Sequence, residues 1–427
     1  MIIYPLNSTQ LDMLQESDAE TLVTDYSVNV CIDIPSHQCH ADELGAAVQT
    51  VLDTLHYTHV HLVRQPGGEV LVSEETDIPN HVWMHEMGDD EWNSRRHQFP
   101  RPFRMLEEPG IRFHVVKTST RTILWHEYNH LFFDGMSMVA ALRAVEDALA
   151  GRLLTDQGDL TARWNTDEQL SFSTEVYRRA QAASIRKFKG TRYTDICRKT
   201  DNPWGETLCG SSLLPYERLS HSKLDDSTLA TVCTAAYALA LGHEAGTDDV
   251  VFMTTSHGRN DRRLHARVFG NFMKSMSLRI NVSPSQTVAE LLSQTRAALF
   301  GMMRCLAYPW THLMRDLGLP PEQQVGTEMN ISGTTIYEYM QFKGAAYPSY
   351  HIEMSRSRMH LLLVVQRREE GLLFSAEGSS ALYSQQQLDR MAWLTAEYTN
   401  NLCGDSQRLL KDLLTPAPPQ GRDPTER

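Results

Sequence analysis

Apolar and polar positions along the chain change period several times, and each change marks a predicted element. Residues 28–34 alternate apolar and polar side chains, which predicts a half-buried strand. Residues 41–55 switch to helical spacing, with Leu44, Ala47, Val48, Val51 and Leu55 on one face. Runs at 59–63 and 69–72 flank Gly67-Gly68 and predict a hairpin. Ahead of them, Tyr4-Pro5-Leu6 reads as an extended entry to a short helix capped by Ser8 or Thr9. The stretch up to about Arg95 is polar and carries no usable period, and Phe99-Pro100-Arg101-Pro102-Phe103 is a rigid non-helical segment. Residues 111–117 and 122–128 predict two adjacent strands. A helix pattern follows, with Met138, Leu142, Val145 and Leu149 on one side and Gly151 placed to end it.

The second half repeats this alternation loosely. Residues 152–169 are polar and weakly patterned and make the best linker candidate. A helix over 172–189 carries Arg178, Arg179, Arg186, Lys187 and Lys189, and Arg192, Arg198 and Lys199 extend the basic run. That face is either solvated or a dock for an acidic partner. A helix over 225–241 is capped by Asp225, Asp226 or Ser227. Strands follow over 250–256 and 276–282, a helix over 288–300, strands over 328–336, 361–366 and 372–376, and a closing helix over 385–402. The end from 416 is Pro-rich and polar, and reads as a linker. The organisation predicted is an α/β protein: a first lobe over 1–170, a second over 171–415 and a tail over 416–427. Two such halves meeting along a cleft would place a site at their junction.

Composition changes this picture little. The 427 residues are 41% hydrophobic and 22% charged, the ordinary range for a globular chain. No apolar run of about 18 residues predicts a membrane span, and the first residues do not form a signal peptide. The net charge of −13 argues against a general nucleic-acid binder. Seven scattered cysteines fit a reducing cytoplasm better than a disulfide framework. Cys31, His37, Cys39 and His40 lie close together but match no metal-ligand spacing, so no metal is expected there.

Candidate chemistry concentrates where the strand over 122–128 runs into Asn129-His130-Leu131-Phe132-Phe133-Asp134-Gly135-Met136-Ser137. The pattern predicts a strand, a tight loop and a helix, with a titratable imidazole, His130, at the bend. Gly135 suits a loop position of positive φ, Ser137 suits the helix cap, and Asp134 could pair with an Arg to fix the loop. His130 itself is either a satisfied structural residue or a proton-transfer group.

This stretch resembles the H-H-x-x-x-D-G-x-S motif of nonribosomal peptide synthetase condensation domains, and other segments resemble the family in order. Tyr4-Pro5-Leu6 with Gln10 and Met13-Leu14 is similar to its opening. Pro102-Phe103-Arg104 through Arg112-Phe113 is similar to the approach to the active-site strand. His257-Gly258-Arg259 and Gly270-Asn271-Phe272-Met273-Lys274 through Leu278-Arg279 are similar to its later motifs. The resemblance implies two chloramphenicol-acetyltransferase-like lobes in a V-shaped pseudo-dimer with a central channel. His130 would lie near the middle of that channel.

It also implies an acyltransferase, of the class moving groups other than amino-acyl or peptidyl ones. Such an enzyme joins a carrier-bound acyl thioester to an amine or hydroxyl. No cofactor is implied as bound; the substrates would ride on the 4'-phosphopantetheine of acyl or peptidyl carrier proteins, or on CoA. The chain is expected to act as a cytoplasmic monomer without nucleic acid or membrane. His130, Asp134, Gly135 and Asn129 would form the catalytic loop. Arg279, and next Arg259, would pair with Asp134. Asn330 and Lys274 would contact substrate, Lys274 alternatively snorkelling at the surface. Two positions depart from the family: Asn129 stands where the first motif His is usual, and Lys274 where Asn is usual. A condensation-like module that only docks carriers or recruits a tailoring enzyme, and an epimerisation-type domain, are the alternatives.

Overall fold

The computed structural model describes residues 2–16, 26–219, 226–259, 267–319, 327–332, 339–342, 344–352 and 359–413. The predicted Pro-rich tail, the cap candidate Asp225 and positions 333–336 of one predicted strand lie outside them. The first half of the chain supplies β1 (Ile3–Tyr4), α1 (Ser8–Glu16), β2 (Ser27–Pro35), α2 (Ala41–Thr54), β3 (His61–Arg64), β4 (Val70–Ser73), β5 (Trp83–Glu86), α3 (Asp89–Arg95), β6 (Ile111–Lys117), β7 (Arg121–Asn129), α4 (Gly135–Leu149) and α5 (Leu160–Ser171). The second half supplies α6 (Glu175–Phe188), β8 (Thr207–Pro215), α7 (Asp226–Ala245), β9 (Asp249–Ser256), β10 (Lys274–Asn281), α8 (Val288–Met303), α9 (Trp310–Leu317), β11 (Glu328–Ser332), β12 (Tyr339–Phe342), β13 (Ala345–His351), β14 (Leu362–Arg367), β15 (Gly371–Ser379) and α10 (Gln385–Leu402).

Two mixed sheets of six strands organise the molecule, in the orders β12-β13-β2-β7-β6-β5 and β10-β9-β11-β14-β15-β8. A smaller sheet, β1-β4-β3, lies beside the first. Each large sheet buries one face under helices. On the first, Val30, Ile32, Leu124, Phe113 and Val115 pack with Leu44, Val48 and Val51 of α2 and Met138, Leu142 and Val145 of α4. On the second, Leu363, Val365, Phe374, Phe252 and Leu278 pack with apolar positions of α7, α8 and α10. The predicted periods therefore name the correct helix faces, because burial against a sheet demands a contiguous apolar stripe.

Local chemistry differs from expectation in places. The cap of α1 is Asn7, not Ser8 or Thr9: Gln10 N–H donates to Asn7 Oδ1 and Asn7 N–H to Gln10 Oε1, each at 2.9 Å. The predicted linker over 152–169 contains α5, whose Asn165 donates to the Pro5 carbonyl at 3.0 Å and to Gln10 Oε1 at 2.9 Å. Its polarity serves this inter-element bonding rather than solvent. Residues 339–351, expected in the second lobe, complete the first sheet instead. β12 and β13 form a hairpin, and β13 pairs antiparallel with β2, with Ser349 opposite Ile32 and His351 opposite Val30. An edge strand with unpaired N–H and C=O groups accepts such a donor readily.

Candidate active site

β7 carries the motif to its bend. The strand runs buried from Thr122 to Asn129, and alternation sends Leu124, His126 and Tyr128 to the helix-covered face. The rings of His126 and Tyr128 lie 6.0 Å apart and those of Tyr128 and His130 5.6 Å apart, so His130 ends an aromatic row. At the bend, Asn129 Oδ1 accepts from Leu131 N–H at 2.9 Å, and the Asn129 carbonyl accepts from Phe132 and Phe133. The amide thus closes the turn locally, as Asn does in an Asx turn.

His130 is partly buried. Its Nδ1 lies 2.8 Å from the Phe133 carbonyl. A carbonyl only accepts, so Nδ1 carries the proton and the lone pair of the neutral ring sits on Nε2. Burial lowers the His130 pKa below its ordinary value, against smaller upward pulls from the Phe133 carbonyl and Asp134. At neutral pH the ring is a neutral base with a fixed tautomer.

Asp134 and Arg259 hold the loop. Arg259 Nη2 and Nε donate to the two Asp134 oxygens at 2.7 and 3.0 Å, and both side chains are nearly inaccessible, 4% and 3% exposed. Arg259 also donates to the Val268 carbonyl at 2.8 Å and lies over the Phe272 ring. Asp134 Oδ1 further accepts from Ser137 N–H at 2.9 Å, so Asp134 is the N-cap of α4. Ser137 is therefore not the cap: its hydroxyl donates to the Gly270 carbonyl at 2.8 Å and accepts from Gly270 N–H at 3.0 Å. Gly135 is the first helical residue and has no positive φ. A left-handed glycine of the site is Gly258 (φ 66°), where a Cβ would collide with the Phe272 carbonyl.

The second half of the chain thus grips a loop of the first. Asn271 Nδ2 donates to the His130 carbonyl at 2.6 Å, and Asn7 Nδ2 to the Asn271 carbonyl at 2.8 Å. Residues 217–421 match the family model of the condensation domain. The chain resembles that family over a little less than half of its length. It is 23% identical over 373 residues to tyrocidine synthase 3 of Brevibacillus parabrevis, covering 82% of this chain. It is 20% identical over 340 residues to bacitracin synthase 1 of Bacillus licheniformis, covering 76% of this chain. The chain spans 6% of the length of each of these two relatives.

Its fold matches a variant of the starter condensation domain of rhizomide synthetase in complex with C8-CoA. The TM-score is 0.81 at 16% identity, covering 96% of each chain. The first condensation domain of the calcium-dependent antibiotic synthetase, in complex with a substrate analogue, matches with a TM-score of 0.78 at 18% identity. That match covers 97% of this chain and 100% of the other. The architecture is the two-lobed, chloramphenicol-acetyltransferase-like α/β fold of condensation domains.

Within this condensation fold the other named residues fall as follows. Arg279 does not reach Asp134. It sits on β10 opposite Val251 and pairs bidentately with Asp249 of β9, both contacts 2.8 Å, so its guanidinium is already committed within the second sheet. Lys274 is not a free cation. It pairs with Glu168 of α5 and donates to Ser8 Oγ at 3.2 Å. Burial raises the Glu168 pKa, but Lys274 and the Ser8 donors outweigh it and keep the carboxyl below its usual range. Lys274 also lines a shallow surface cleft with Ser8, Thr9, Asp12, Tyr308 and Trp310. Asn330 lies on β11 with both amide groups engaged: Oδ1 accepts from Thr255 N–H at 3.1 Å and Nδ2 donates to Glu328 Oε1 at 3.0 Å.

Sequence reasoning missed two histidines. His126 is fully buried, and neither ring nitrogen has a hydrogen-bond partner. Burial pushes its pKa down to about 3, and His351 adds to the shift. His351 reaches the first sheet on β13, and burial with the neighbouring His130 lowers it to about 4. His126 reads as one polar slot in an apolar strand. His351 was invisible because nothing in its local pattern says that β13 crosses to β2.

Proposed function

We propose that the chain is a condensation-type acyltransferase that joins an acyl thioester, delivered on a carrier protein or on CoA, to an amine or hydroxyl acceptor. The observation that carries this reading is His130: a neutral imidazole with Nδ1 fixed by the Phe133 carbonyl, in a loop braced by Asp134 and Arg259. Attack on a thioester carbonyl needs the nucleophile to lose a proton while the carbonyl oxygen gains negative charge. Nε2 takes that proton, the imidazolium it becomes faces the developing oxyanion, and collapse of that intermediate breaks the C–S bond and releases the arm's thiol, which leaves with the proton. Positioning of the two substrates supplies the larger share of the rate. Asp134 acts by position, since its oxygens are occupied by Arg259 and by Ser137, and Phe272 N–H adds a contact at 3.3 Å. The CoA-bound starter domain of similar fold supports a donor carried on a phosphopantetheine arm.

Asn129 supports a second reading, a module that docks carriers without turnover. Mass spectrometry of reactions with acyl carriers or acyl-CoA and a panel of amines and alcohols separates the two. Turnover is expected from the native chain, and His130→Ala should lower it by about 10²–10⁴-fold with the fold intact. Carrier binding without any product favours docking, and full turnover by the variant rejects His130 as base. Deuterium exchange at the α-carbon without bond formation would point to epimerisation.

A further inference from the structure

Three donor atoms of different chemistry meet on the second lobe. The carboxylate of Asp195, the thiol of Cys197 and the imidazole of His360 lie within 4.8 Å of one another. We propose that they form a divalent-metal site of the zinc kind, with the fourth position open to water.

The donor set selects the ion. A thiolate with an imidazole suits zinc and its neighbours, whereas calcium and magnesium take oxygen donors. Zinc bonds of about 2.0–2.3 Å in a tetrahedron put donor atoms about 3.3–3.8 Å apart, a spacing small side-chain rotations reach from the observed one. Cys197 Sγ donates to Asp195 Oδ2 at 2.8 Å. A metal ion takes the place of that proton: the S–H bond breaks, an S–metal bond forms, and one proton leaves to solvent.

The scaffold is fixed before any ion arrives. Asp195 and Cys197 lie in the 190–206 segment between α6 and β8, which has no helix or strand. Thr194 is bonded to Val251 of β9 in both directions, at 2.8 and 2.9 Å, and Arg198 N–H to the Leu382 carbonyl at 2.9 Å. His360 precedes β14, with the Met359 carbonyl bonded to Ser379 N–H at 3.0 Å and Leu361 N–H to the Tyr383 hydroxyl at 3.1 Å. Tyr383 also reaches Asp195, at 3.5 Å. Each segment is thus anchored to the second sheet on one side of its donors and to the 382–383 turn before α10 on the other. An ion there clips the irregular 190–206 segment to the start of β14, far along the chain. No second group of His, Cys, Asp and Glu with this spacing occurs among the described residues, and the Cys31, His37, Cys39 and His40 cluster does not form one.

The test uses the full chain, stripped with a chelator and titrated with zinc, and separately with cobalt for its absorption. One equivalent should bind, the cobalt form should show a thiolate charge-transfer band, and zinc should raise Tm. Cys197→Ser and His360→Ala should each weaken binding at least about tenfold and abolish the Tm shift. Circular dichroism reports that both variants fold, and Cys209→Ser, at an exposed thiol elsewhere, should bind as the native chain does. Equal affinity in the native chain and the Cys197/His360 variants means an adventitious ion only and overturns the proposal. So does a cobalt spectrum without the thiolate band, or loss of binding in Cys209→Ser.

Discussion

At His130 one hydrogen bond fixes the tautomer. With Nδ1 donating to the Phe133 carbonyl, Nε2 is the only basic atom, and burial keeps it unprotonated at neutral pH. As the proposed base, His130 acts in its neutral form, and its pKa lies below the ordinary value. Turnover should therefore stay flat through neutrality and fall only below pH 6.5, as a pH profile of kcat/KM with a fixed donor would show. An acidic limb centred above pH 7 would contradict the assignment.

His126, four residues earlier, gives a stability prediction. Its folded pKa of about 3 lies below the unfolded value, so the unfolded state binds the proton first as pH falls. Stability from this group is complete above about pH 6.5 and drains away toward pH 3, about 2 kcal/mol of it by pH 5. His126→Phe keeps the stacking against Phe113 and Tyr128 and removes an unsatisfied buried donor. It should flatten the pH dependence of urea unfolding between pH 4 and 6.5 and leave the neutral-pH stability equal or higher.

Elements join through a few named contacts. The hairpin β12–β13 is held to the first sheet by β2 pairing and by Tyr350, whose hydroxyl accepts from buried Trp92 Nε1 at 2.8 Å and donates to Asp33 at 3.1 Å. Tyr350→Phe strands the Trp92 N–H and should cost about 1–3 kcal/mol. Hydrogen exchange should speed up in β2 and α3, in the first half of the chain, though the change lies in the second. Exchange unchanged there, with unfolding confined to the second sheet, would show that the hairpin does not support the first lobe.

Across the whole molecule, the Asp134–Arg259 pair spans the halves and is almost fully desolvated. Removing one partner leaves a buried charge alone, so Arg259→Ala should cost about 3–5 kcal/mol and lower acyl transfer. Arg279→Ala breaks a pair 36% and 45% exposed and should cost less than about 1 kcal/mol. Urea midpoints of the two variants, at matched m-values, rank the arginines directly. A larger loss from Arg279→Ala would reverse their order.

The linear sequence by itself determined the α/β class, the main helices and strands with their buried faces, and the motif loop with His130 at its bend. Periodicity is a local record of which side of an element meets the core, and loop chemistry is local too. Only the tertiary structure decided that Arg259 rather than Arg279 meets Asp134, that Glu168 neutralises Lys274, that α5 is a helix binding the chain's start, and that β13 crosses to β2. These depend on which distant segments become neighbours. Charge and hydrogen-bond partners across such distances leave no period in the chain, and neighbouring basic residues look alike until the sheets bring one of them to the carboxylate.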